Sequence, residues 1–521
     1  MSQLTESIPP ISSLSLEAKA AQMIMIDIPG LELSEPTRAH LTAHPWNGVI
    51  LFAKNVSTRQ QVVDLVNQIH EAGSIVPLMT VDQEGGLVDR FRFDEMTLSP
   101  GPMALAATGD PEATFEAHRI MGREMASLGI HLDFAPCLDV NCNPDNPIIG
   151  VRSFGDDPEL VGRHGQAAIR GLREGGVGST AKHFPGHGDT SQDSHIALAT
   201  VPHSRERLEQ VELAPFRAAI GAEVEAIMTA HITFPAFDPT PGLPATLSRP
   251  ILTGLLREQM GFEGLIFTDS MAMLAIADRF GVAEAAVMSV EAGADVVLAC
   301  GPFQNHLESL RGLVEAVQSG RLAEERLDAS LERIFALKRR FCERPTPVNY
   351  DLEGHRRGMA SIVDRTITVL RQQPGVLPLR GKTLVLMPDL LPQTPLGEVS
   401  RSESLAAHMT GVETEEKRYH SHGDGPALTM LAQQAGEFAN VVVAVYGRDR
   451  LPDSQRDLIR LLLEQKTNCV VVSLASPYLL AHIEAPNVVL SYNYTPLSLN
   501  ALGRVLTGQL QARGKCPVNL G

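Results

Sequence analysis

Fourteen consecutive residues, Lys182-His183-Phe184-Pro185-Gly186-His187-Gly188-Asp189-Thr190-Ser191-Gln192-Asp193-Ser194-His195, crowd three histidines, two aspartates and a lysine together with two glycines and a proline. Such side chains cannot build an apolar core, and burying them unpaired is costly, so the stretch reads as a site. Two chemistries are open to it. Imidazole and carboxylate can move protons and attack electrophilic carbon. His183, His187, Asp189, Asp193 and His195 could also ligate zinc or manganese, although none has the spacing of a helical His-Glu-x-x-His site and the glycines do not preform a cage.

The elements around the stretch favour catalysis. Short apolar, β-branched runs alternate with amphipathic ones from Ser15 to Cys342, the pattern of repeated βα units on a parallel sheet. Strands are predicted at Gln22–Asp27, Gly48–Phe52, Val76–Asp82, His131–Val140, Gly178–His183, Ala226–His231, Leu265–Asp269 and Asp295–Ala299. Intervening helices are expected at Thr58–Ala72, Pro111–Leu128, Pro158–Glu174, Ser204–Ala222, Arg249–Met260 and Val282–Ala292, and after the last strand at Phe303–Ser319 and Ala323–Arg340. Eight strand-helix units point to an α/β fold of the (β/α)8 barrel type rather than an open doubly wound sheet.

In a barrel the chemistry lies at the C-terminal strand ends. Val81 runs into Asp82-Gln83-Glu84-Gly85-Gly86, Phe134-Ala135-Pro136 leads to Asp139 and Arg152, Ala181 to Lys182-His183, Ala230 to His231, and Thr268 to Asp269-Ser270-Met271. The loaded residues follow the strands.

After Cys342 the polar, proline-bearing Glu343–Asn349 reads as a linker. The expected organisation is a barrel over 1–342, a linker over 343–357 and a smaller α/β domain over 358–521, with a helix near Gly358–Arg371 and strands near Thr383–Met387, Val441–Tyr446, Cys469–Leu474 and Val488–Tyr492. Trp46, the single tryptophan, is expected in packing; His420, His422 and Asp424 in a solvated loop; and the run Glu413–Arg418 on a solvated face.

The 521 residues carry a net charge of -17 with no basic stripe, which excludes a nucleic-acid backbone as partner. Six scattered cysteines without a Cys-x-x-Cys pair suit a reducing compartment. The N-terminal stretch lacks the basic and apolar regions of a secretion signal, and no run is long enough to span a bilayer. A cytoplasmic protein without membrane contact is expected, its oligomeric state left open.

Three motifs together, Asp82-Gln83-Glu84-Gly85-Gly86, the Lys182–His195 loop and Phe267-Thr268-Asp269-Ser270-Met271, resemble glycoside hydrolase family 3 in its β-N-acetylglucosaminidase branch. Val376-Leu377-Pro378-Leu379 and the terminal Gly514-Lys515-Cys516-Pro517-Val518 look like that family's αβα sandwich domain. The resemblance implies a retaining exo-β-N-acetylglucosaminidase that needs no cofactor or metal and acts on small carbohydrates such as peptidoglycan or chitin fragments. By the same resemblance, Asp269 matches the nucleophile and His195, hydrogen-bonded to Asp193, the acid/base. Asp82, Arg90, Arg152, Lys182, His183 and His231 match positions that hold the sugar.

The roles suit the residues. A retaining glycosidase needs a carboxylate on one face of the sugar and a proton donor at the scissile oxygen. An imidazole, with its ordinary pKa of about 6.5, can give and recover a proton near neutrality, while Asp193 sets its tautomer. Three alternatives stay open: phosphorolysis, because a neutral imidazole would not repel phosphate; a broader β-glucosidase activity; and sugar binding without turnover.

Overall fold

The computed structural model describes residues 8–191, 198–343, 350–389, 404–421, 425–447, 450–465 and 468–520. Eight parallel strands form its first part in chain order: β1 Ile24–Asp27, β2 Gly48–Leu51, β3 Leu78–Val81, β4 Leu132–Asp133, β5 Gly178–Phe184, β6 Ala226–Thr229, β7 Leu265–Phe267 and β8 Val297–Ala299. β8 pairs back to β1, and a Phe267–Val296 bridge closes the ring on its other side. Every residue of these strands is buried, because helices cover the outside and side chains fill the inside. The barrel expectation holds.

The helices start where the sequence supplies caps. Thr58 accepts the Gln61 amide before Arg59–Ala72, Asp110 the Glu112 amide before Pro111–Ala126, and Asp157 the Glu159 amide before Pro158–Gly175. Three local expectations are corrected. The regular strand β4 stops at Asp133, but backbone bonds with β5 run on past it, from Thr180 N to Ala135 O at 2.8 Å, Lys182 N to Pro136 O at 3.1 Å and Leu138 N to Lys182 O at 2.7 Å, while Pro136 itself has no N–H to donate. The helix expected over Ser204–Ala222 is two, Arg205–Gln210 and Ala214–Gly221. Pro215 cannot donate to residue 211, and the break carries Glu212 against the glycine-bearing loop. The helix expected over Gly358–Arg371 is Leu352–Val363, capped by Asp351 inside the stretch read as linker, and the β-branched run after it forms a strand.

That strand, β9 Thr368–Arg371, joins a second sheet with β10 Thr383–Pro388, β11 Thr414–Tyr419, β12 Asn440–Val445, β13 Asn468–Ser473 and β14 Val488–Leu490, in the order β9-β14-β13-β12-β10-β11. All pairs are parallel except β9 with β14. The acidic run read as a solvated face is β11, an edge strand whose charged side chains suit its open side.

The two parts share core. Val151 of the barrel belongs to the same buried apolar cluster as Leu384, Tyr478 and Tyr492. Tyr478 donates its hydroxyl to Asn141 O at 3.0 Å, Asn493 its side-chain amide to Pro100 O at 3.1 Å, and Lys515 its backbone N–H to Ala107 O at 2.8 Å. These contacts fall on the β3 and β4 loops. As expected, Trp46 is packing: it is buried, and its indole donates to His40 O at 3.0 Å.

At the opposite end of the barrel, Lys338 is fully buried with Gln22 Oε1 at 2.8 Å. Burial pushes its ammonium down to about 7, far below the ordinary lysine value. Between pH 7 and about 10 the unfolded chain therefore binds a proton that the folded chain does not, so stability rises with pH across that window. Denaturation midpoints measured from pH 6 to 10 should show this rise, and Lys338→Met should flatten it.

Candidate active site

A cavity of about 320 Å³ opens at the C-terminal end of the barrel strands. Asp82, Glu84, Val88 and Arg90 reach it from the loop after β3, Ile148 and Arg152 from the loop after β4, and Lys182, His183 and His187 from β5 and the loop beyond it. Met228 lies on β6, and Asp269–Leu274 follow β7 apart from Met271.

At its centre is a largely buried ion network, with Asp82 its most exposed member. Arg152 grips Glu84 with two parallel N–H donors, Nε to Oε2 at 2.9 Å and Nη2 to Oε1 at 2.8 Å. Lys182 Nζ bridges Glu84 Oε1 at 2.6 Å and Asp82 Oδ1 at 2.7 Å. Burial alone would push the Glu84 carboxyl up, but the Arg152 guanidinium and then the Lys182 ammonium outweigh it and hold it well below the usual carboxylate range. Burial likewise works against both cations, and Glu84 with Asp82 overrides it, so both stay charged.

Asp139 organises the next segment. Its Oδ2 meets His183 Nδ1 at 2.7 Å, and Oδ1 accepts the backbone N–H groups of His183 at 3.2 Å and His187 at 2.6 Å. Burial opposes ionisation of Asp139, yet the facing His183 and these donors keep it low. His187, bonded through Nδ1 to Thr190 Oγ1 at 2.9 Å, is pushed by burial down to about 4 and is neutral near pH 7. Asp189 turns away to His203 Nε2 at 2.6 Å.

The glycines of this stretch have steric reasons. A Cβ on Gly188 would stand 1.8 Å from Val140 O, and one on Gly186, at φ +144°, would stand 2.8 Å from Glu212 Cβ.

The cavity thus gathers Asp82, Arg90, Arg152, Lys182, His183 and Asp269 from the sequence-derived set. His231 is not among the lining residues. It is buried behind them, between Thr246 Oγ1 at 2.8 Å and Ser270 O at 3.0 Å, where it holds the backbone beside Asp269. Asp193 and His195 lie outside the described residues, as do His422 and Asp424. His183, His187 and Asp189 each turn to a different partner, so their nitrogens and oxygens do not converge on one metal position.

Glu84 and Asp139 escaped residue-by-residue assignment. The signal for Glu84 was its spacing, two residues from Asp82, which lets both side chains face one way in an extended segment. Asp139 was marked by its place after the fourth strand, but not its role, because its partners are 44 and 48 residues away.

The model of the glycosyl hydrolase family 3 N-terminal domain matches residues 15–337. The chain is 38% identical over 375 residues to beta-hexosaminidase A of Pseudoalteromonas piscicida, a match that takes in 66% of this chain and 62% of that protein, so it spans less than two thirds of this relative's length. It is also 38% identical over 305 residues to a beta-hexosaminidase of Xanthomonas oryzae pv. oryzae, covering 58% of this chain and 88% of that one. The solved family 3 beta-N-acetylglucosaminidase of Paenibacillus sp. str. FPU-7 superposes with a TM-score of 0.92 at 37% identity, over 98% of this chain and 99% of the other. The barrel, the motifs on its strand ends and these matches agree: the chain belongs to glycosyl hydrolase family 3.

Proposed function

We propose that the chain is a retaining, exo-acting β-N-acetylglucosaminidase that works without a cofactor on small, cytoplasmic carbohydrate fragments. The observation that carries the reading is that Asp269 lines the same cavity as Asp82, Arg90, Arg152, Lys182 and His183. The Asp269 carboxylate attacks the anomeric carbon while His195, steadied by Asp193, protonates the departing oxygen. The resulting glycosyl ester is then hydrolysed by a water that His195 deprotonates, which restores Asp269 and inverts the centre a second time.

The charged network would supply the grip. Lys182, Asp82 and Arg152 offer donors and acceptors to the ring hydroxyls and the acetamido group, and Glu84 fixes two of them from behind. In support of the cytoplasmic setting, all six cysteines are free thiols. Among the described residues no helix is long and apolar enough to cross a membrane.

Four measurements test this reading. Asp269→Asn should remove nearly all turnover, and His195→Ala should cost about 10²- to 10⁴-fold on substrates whose leaving group needs a proton but less on an activated phenol; equal activity on both would sink the His195 assignment. Paired p-nitrophenyl β-glucoside and β-N-acetylglucosaminide rates, with and without inorganic phosphate, separate N-acetylglucosaminidase from glucosidase and from phosphorylase, the last yielding a sugar 1-phosphate. Glu84→Gln should raise KM about 10- to 100-fold, because it leaves Arg152 and Lys182 buried without their carboxylate.

A further inference from the structure

The terminal motif Gly514-Lys515-Cys516-Pro517-Val518 lies outside the cavity lining, yet it reaches the loop that carries Arg152. Gly514 donates its N–H to Ile367 O at 3.0 Å, just before β9. From that anchor the chain crosses to the barrel. Lys515 bonds Ala107 O, Val518 is buried in one apolar cluster with Val151, Met103 and Ala104, and Asn519 donates its N–H to Asp156 Oδ2 at 2.6 Å.

The crossing covers one side of the segment that follows Arg152. Polar bonds fix the other side: Asn141 accepts the Gly150 N–H through Oδ1 at 3.0 Å and donates its own N–H to Gly155 O at 2.9 Å, while Ser153 Oγ donates to Asp139 O at 2.6 Å. Gly155 is where the two sides meet. A Cβ there would stand 2.5 Å from Pro517 O, a backbone atom that cannot turn aside, whereas Leu160 Cδ2, at 3.0 Å, is the tip of a side chain that can. The φ of Gly155 is not in the left-handed region, so the close approach of Pro517 and not the turn demands a glycine.

Resting on the proposed activity, we infer that Lys515 to Asn519 form a strap that positions Arg152 against the sugar. Two parallel bonds tie the Arg152 guanidinium to Glu84, so its direction follows from where its own loop stands. With Pro517 against Gly155 and Val518 in the same cluster as Val151, that loop cannot retreat outward and take Arg152 with it. Arg152 meets the substrate, and the strap acts through it.

The test is a double-mutant cycle in the full chain, read as KM and kcat on whichever of the p-nitrophenyl β-N-acetylglucosaminide and β-glucoside the wild type cleaves. Gly155→Ala, which drives a methyl into Pro517 O, should raise KM about 10-fold while kcat changes by less than about threefold. Val518→Ala, which loosens the strap outside the cavity, should raise KM by a smaller factor and carries the cycle if Gly155→Ala does not fold. In an Arg152→Lys enzyme, which keeps the charge but loses the two-point grip, neither substitution should raise KM by more than about twofold. Equal effects in both backgrounds, or an unchanged KM for both substitutions in the wild type, overturn the strap. A wild type that cleaves only the glucoside overturns the proposed substrate and leaves the cycle to judge the strap, and one that cleaves neither overturns both.

Discussion

The buried carboxylate of Glu84 between Arg152 and Lys182 is the constraint on which the site depends. Two cations and two carboxylates lie in a space from which water is largely excluded, and each is tolerable only because the others are there. Such a network need not stabilise the fold more than apolar residues of the same volume would. It does fix the direction of every donor, because a guanidinium held by two parallel bonds cannot swing.

That fixity has to be supported from outside. Glu84 and Arg152 ride on loops, and loops are held only by what packs against them. The second domain meets those loops at Val151, Asn141 and Pro100, so its core and hydrogen bonds continue into the segments that carry the network. Gly188 serves the same end from the β5 side, letting the loop lie directly on the Val140 carbonyl. Asp139 then ties both loops together through His183 and His187. The charged groups of the cavity are held in place by this means.

Much of this was legible in the order of residues. Apolar runs of the right length gave all eight barrel strands, since both faces of such strands are buried and periodicity is not needed to see them. Loaded residues after those runs marked the mouth of the barrel. Errors arose where one residue overrode a pattern: Pro136 interrupting β4, Pro215 splitting a helix, Asp351 starting one inside an expected linker. The charged run at β11 is part-exposed, as a solvated face should be, but gave no sign of a strand because an edge strand is half solvated and need not look apolar.

His231 shows the limit most clearly. Its place after β6 put it at the correct end of the barrel, but whether a strand-end side chain faces the cavity or the layer behind it depends on hydrogen bonds to Thr246 and Ser270. The sequence by itself determined the barrel, the strand-end location of the site and the residue types within it, because burial pattern and motif spacing are local properties. Only the tertiary structure decided that Glu84 and Asp139 are the hubs and that His231 stands behind Asp269. Those facts follow from which distant segments meet, and low-dielectric pairing of charges far apart in the chain leaves no mark on either segment alone.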